Sequence, residues 1–218
     1  LETHGLSRMP DANYFFSEID SCRLQRAREL SEVKIRIASL SVLPRYGVQS
    51  KANIVLSYAH WEGFYNECAS YYVKALQLEG KRLRDVQWSM ALGLLTPDFN
   101  RVKDKNHSRA AQLDFVNRLS GIREEGFNSF DPAVIASSSN LNFEKLCCNF
   151  RVLGFDTKPF QIYRLRIDKE LVGWRHSIAH GNDPDLTTAN LNSHVTFAQE
   201  LLLLMADIFQ TEGAKIFI

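Results

Sequence analysis

Arg175-His176-Ser177-Ile178-Ala179-His180 sets a permanent cation and two titratable rings within six residues, and Gly181 follows at once. A guanidinium grips two phosphate oxygens together, and an imidazole exchanges its proton near neutral pH. That pairing suits RNA cleavage without a metal. The imidazole accepts the proton of the 2′-hydroxyl, the guanidinium meets the charge gathering on the pentacoordinate phosphate, and the 5′-oxygen leaves. One arginine and one histidine are few for this work, whereas two chains about a symmetry axis supply two of each.

The same residues have plainer readings. A histidine at a helix C-terminus is favoured by the dipole and satisfies last-turn carbonyls, and an arginine there pairs readily with a carboxylate. His176 and His180 stand four apart and could hold zinc from one helix face, with His107 or His194 as a third ligand. Ser177, however, stands where a zinc protease carries the glutamate that follows its first histidine. Neither a glycine-rich phosphate loop nor a Ser-His-Asp or Cys-His arrangement stands out, and no cofactor is expected.

The motif needs a helix to aim it, and the chain supplies several. The spacing predicts one over about 161–180, with Ile167, Leu171, Trp174 and Ile178 on one stripe and Gly181, Asn182 and Pro184 as its stop. On ~100° per residue, Arg175 flanks that stripe and His180 points about 140° further round. A last helix is expected over about 187–211, where Leu191, Val195, Ala198, Leu202, Met205 and Phe209 form the stripe. There the run Leu201 to Leu204 is apolar on nearly all sides and is either buried or facing a partner. Asp11 or Asn13 caps a first helix running to about Leu43, broken at Pro44-Arg45-Tyr46-Gly47. A second spans about 49–78 on Ile54, Tyr58, Trp61, Tyr65, Cys68, Tyr72 and Leu76, where aromatics at one-face spacing read as core rather than a base-stacking platform.

Residues 80–160 form a middle insertion: a short helix near 86–94 and a loop, a helix over about 108–120, a turn-rich stretch 121–140, and a helix over about 142–153. No period-two strand run and no internal repeat competes. The expected fold is all-α, an antiparallel helical bundle with long N-terminal helices, as one domain over 12–218. Residues 1–11 are expected to be disordered, or a remnant of expression ahead of the bundle.

With 218 residues, 45% of them hydrophobic, the chain can bury a core; its net charge of +1 points to neither nucleic acid nor membrane, so any binding face is local. Lys81, Arg82, Arg84, Arg101, Lys103, Lys105 and Arg109 make the insertion locally basic, either as solvated surface or as sequence-independent phosphate contacts. Cys22, Cys68, Cys147 and Cys148 lack both a disulfide framework and zinc-ribbon spacing and read as reduced thiols. No apolar run approaches the ~18 residues of a membrane span, and the start of the chain lacks a signal-peptide pattern, so a cytoplasmic protein is expected.

Arg175 to His180, an arginine, four residues and a histidine at the end of a late helix, resembles the signature of the HEPN superfamily of α-helical ribonucleases. Tyr58-Ala59-His60-Trp61-Glu62-Gly63-Phe64 and the arginine-rich first helix resemble its RiboL-PSP-HEPN branch, the likeness covering roughly 12–78 and 161–211. The resemblance implies a homodimer whose Arg175 and His180 line one cleft and cut RNA without metal, leaving a 2′,3′-cyclic phosphate. Arg175 would bind phosphate, His180 would act as general acid or base, and His176 and Glu62 would support them. Otherwise Glu62, one step off its stripe, only pairs with an arginine. Such proteins often act as toxins or in defence against phage, so an antitoxin or regulatory partner is implied. Some members are inactive, and a silent helical dimer binding a protein or RNA is the alternative.

Overall fold

The computed structural model describes residues 12–39, 47–138, 140–184, 186 and 190–218. The candidate cap Asp11 and most of the expected break at 44–47 lie outside them. Among the described residues the protein is all-α, and β-type pairing is confined to an isolated bridge between Arg82 and Gly126.

Three long helices pack mutually: α1 (Ala12–Ser39), α2 (Val48–Leu78) and α9 (Leu191–Ala214). Each stripe residue anticipated on α2 and α9 is buried. The leucine run of α9 is not buried all round, because Leu201 and Leu202 face the core while Leu203 is half-exposed. Phe209 on α9 sits among Tyr65, Tyr72, Phe150 and Phe155 with ring centroids 5.1–6.3 Å apart, mostly edge to face. Such pairs add ~1 kcal/mol each beyond their buried area. The buried polar tips are satisfied: Trp61 Nε1 donates to the Leu141 carbonyl (3.0 Å) and the Tyr65 hydroxyl to that of Ile135 (2.6 Å). Both bonds tie segment 135–141 to α2.

The insertion departs from the expected short helix near 86–94. Turns of 3₁₀ helix at Leu83–Asp85 and Trp88–Met90 lead into α3 (Ala91–Asp104), which runs through Pro97. Proline cannot donate to the carbonyl four residues back. That carbonyl, on Gly93, instead accepts from the Asp131 amide at 3.0 Å, so the segment around Phe130 docks where the helix is missing a bond. Asn106 and His107, both at positive φ, turn the chain into α4 (Arg109–Gly121), capped by Ser108. Next comes α5 (Phe143–Leu153), capped by the Asn142 side chain and closed by Gly154 at φ +79°.

The expected single helix over 161–180 is a composite: α6 (Lys158–Gln161), α7 (Arg164–Arg166), a π-helix (Ile167–Gly173) and α8 (Trp174–Ala179). No described helix is long and apolar enough to cross a membrane.

A Cβ on Gly93 would lie 2.3 Å from the Phe130 ring, whereas one on Gly121 meets nothing within 4 Å. Gly93→Ala is therefore expected to lower unfolding free energy by about 1–3 kcal/mol in urea titrations, and Gly121→Ala to leave it equal or slightly raised.

Candidate active site

The composite helix is held from below. Ile167, Leu171 and Val172 are buried, and the π-turn, with about one extra residue, sets the angle at which α8 leaves. Trp174 stacks on His194 of α9 with centroids 5.5 Å apart. Trp174 and Ile178 also pack against a small apolar cluster of Ile54, Leu186 and Leu191. Leu186 reaches it because the chain folds back after the motif, secured by the ion pair of Lys51 on α2 with Asp183. The end of α8 is a Schellman closure: Gly181, at φ +77°, donates to Ile178 and Asn182 to Ser177 (3.0 and 2.9 Å).

Those anchors leave the motif's polar side chains outward. His176 and His180 are exposed, ring centroids 4.3 Å apart. Arg175 is half-buried, its guanidinium 4.5 Å from the Tyr58 ring centroid, a cation–π contact on the order of 1 kcal/mol. Among the described residues Arg175 has no ion pair and no side-chain hydrogen bond. No group of three His, Cys, Asp or Glu side chains converges among the described residues, around His176 and His180 or elsewhere.

Glu62 does not pair with Arg175 directly. It accepts a 2.6 Å hydrogen bond from the Ser137 hydroxyl and adjoins the Tyr58 hydroxyl, which itself accepts from the Leu141 amide at 2.9 Å. Burial, reinforced by the Glu62 carboxylate, raises the Tyr58 pKa well above the usual phenol range, so the ring beneath Arg175 stays neutral. Ser137, Glu62, Tyr58 and Arg175 thus form one chain of contacts.

The segment 58–64 splits between two sides of α2. Tyr58 and Glu62, four apart, face the motif helix; His60, Gly63 and Glu67 face α1. Arg26 on α1 forks onto Glu67 (2.7 and 3.2 Å) and lies over Gly63, where a Cβ would meet the guanidinium at 3.0 Å. Arg26 also approaches His60 Nδ1 at 3.4 Å. The other nitrogen lies 3.4 Å from Glu29 without a hydrogen bond, and burial outweighs the nearby carboxylates in lowering the His60 pKa.

The basic residues of the insertion are divided. Arg82 and Arg84 share Glu124, and Arg101 sits 3.8 Å from Asp98. Lys81 and Arg84 line a separate cleft of about 310 Å³ that includes no motif residue. Lys103, Lys105 and Arg109 are exposed around the α3–α4 turn without an ion pair among the described residues. Sequence reasoning placed Tyr58 in the core only and did not single out Ser137, Asn140 or Arg164 beside the motif. The four-residue step from Tyr58 to Glu62 was the available signal for the first.

An all-α bundle carrying Arg-x4-His at the exposed end of the helix before its last long one has the architecture of the HEPN superfamily, in which ribonucleases are common. The chain belongs to the RiboL-PSP-HEPN family, whose model matches residues 21–211. No curated protein and no solved structure matches it.

His194, beneath Trp174, is 1% exposed with neither ring nitrogen hydrogen-bonded, and burial, then the Arg166 charge, lowers its pKa to about 4. An unfolded histidine binds a proton below pH ~6.5, so this group's contribution is complete above that pH and is lost as pH falls toward 4. Between pH 7 and 5 the loss is expected to be about 2 kcal/mol by chemical denaturation. His194→Phe, which keeps the stack, should remove that share of the slope.

Proposed function

We propose that the protein is a metal-independent endoribonuclease working as a homodimer, with Arg175 holding the scissile phosphate and His180 moving the proton. The observation that carries this reading is the state of the motif: two exposed imidazoles and an arginine with no carboxylate partner among the described residues, on a helix end fixed from three sides. His176, against His180, orients it, and the Ser137–Glu62–Tyr58 chain orients Arg175.

On ~100° per residue Arg175 and His180 point about 140° apart, so a phosphate held by one is served by a second copy of the other. The amino-terminal half of α2, next to Tyr58, supports such pairing, since Val48, Val55 and Leu56 expose apolar surface there. RNA is the substrate class, and phosphate contacts fall to Lys103, Lys105 and Arg109, with Arg82, Arg84 and Arg101 partly committed to acids and Lys81 lining the separate cleft. A toxin or phage-defence role, held in check by an antitoxin or regulatory protein in the cytoplasm, fits an enzyme that cuts RNA with no cofactor.

Wild type is expected to cut RNA in EDTA, leaving 2′,3′-cyclic ends, and Arg175→Ala and His180→Ala to lose about 100-fold or more. A wild type that cuts no RNA, or a His180→Ala that cuts equally well, overturns the reading in favour of a silent binding dimer. Neutralising Lys103, Lys105 and Arg109 together is expected to reduce the salt dependence of RNA binding by about two to three units of slope, read from titrations at several salt concentrations.

A further inference from the structure

An open cleft of about 290 Å³ lies against His176, between the start of α5 and the π-helix. Its size falls at the lower end of small-ligand sites, ~300 Å³, too small for a folded RNA element and suited to one splayed base. Two of its walls are fixed from within. Asp168 accepts the Phe143 amide at 2.8 Å, and the Asn142 side chain accepts the Lys145 amide at the same distance. Gly173 contributes no side chain to fill the space; a Cβ there would meet only the Asp168 carbonyl of its own helix, at 3.0 Å.

Arg164 and Asn140 are two of the lining side chains left uncommitted among the described residues. Arg164 is exposed, its guanidinium plane carried over the Phe143 ring at 5.7 Å, and it has no carboxylate partner among the described residues. Asn140 is exposed and its amide makes no hydrogen bond there, so a donor and an acceptor stand side by side at the mouth. A flat cation beside a free amide matches what an unpaired base offers: a π-face to stack and an edge that both donates and accepts. His176 belongs to both cleft and motif, so a base lodged here lies one side chain from His180.

We propose that this cleft is a nucleobase subsite, with Asn140 reading the edge of the base next to the cut and Arg164 stacking on its face. The inference rests on the ribonuclease reading for its choice of ligand, and its test is kept independent of cleavage.

The probe is a set of uncleavable 2′-O-methyl RNA octamers, uridine throughout except for A, C or G at one position, that position being varied. Affinity is read by fluorescence anisotropy. Wild type is expected to separate best from worst base by about tenfold at one position and little elsewhere. Asn140→Ala should bring the four bases within about twofold there, and Arg164→Ala should weaken every octamer severalfold. A wild type without base preference, or an Asn140→Ala that keeps it, overturns the subsite. Cutting of the matching 2′-hydroxyl sequences separates the two ideas. Preference lost in Asn140→Ala with no cutting by wild type keeps the subsite and discards the nuclease; cutting without preference discards the subsite alone.

Discussion

The contact between the Arg175 guanidinium and the Tyr58 ring is the interaction on which the proposed site depends. A long cationic side chain at a helix end has many rotamers, and only those lying flat on a fixed surface deliver its donors to one place. Tyr58 supplies that surface because it cannot move: its ring is in the core, and its hydroxyl is held by the Leu141 amide beside Glu62. Glu62 is steadied by Ser137, and segment 135–141 by Trp61 and Tyr65. The aromatic core of the bundle therefore reaches the motif through a few hydrogen bonds to one irregular segment.

The motif helix itself is short, and a helix of this length has little stability of its own. Tertiary contacts make up the difference: Trp174 over His194, Ile178 and Leu186 on Ile54, and the Lys51–Asp183 pair. A buried imidazole with no hydrogen bond opposes folding, so His194 sits at odds with the rest of the core and makes this anchor sensitive to acid. The wide turn just before Trp174 is a second local irregularity next to the motif, and with Gly173 it leaves the cleft beside His176 open.

Local signals were legible in the sequence, and relations between distant segments were not. The stripes of α2 and α9 follow from side-chain period alone, and the Arg-x4-His spacing with its glycine stop lies within a few residues. Tyr58 carries no mark of a second duty, because an aromatic at core spacing looks the same whether or not a guanidinium lies on it. Glu62 finds its partner 75 residues on, in Ser137. The π-turn has no residue signature. The helix expected to stop near 94 runs on through Pro97, where Asp131 takes the spare carbonyl, and the charges of Arg82, Arg84 and Arg101 are moderated by Glu124 and Asp98, acids no local pattern linked to all of them.

The central claim is that guanidinium and imidazole from two protomers act on one phosphate. Subunit mixing addresses it most directly: Arg175→Ala and His180→Ala proteins, each inactive alone, are unfolded together, refolded and assayed on RNA in EDTA. Mixed dimers retain one intact arginine and one intact histidine on opposite chains, and the account predicts that cleavage returns. Mixed dimers that form and stay as inactive as either parent would contradict it.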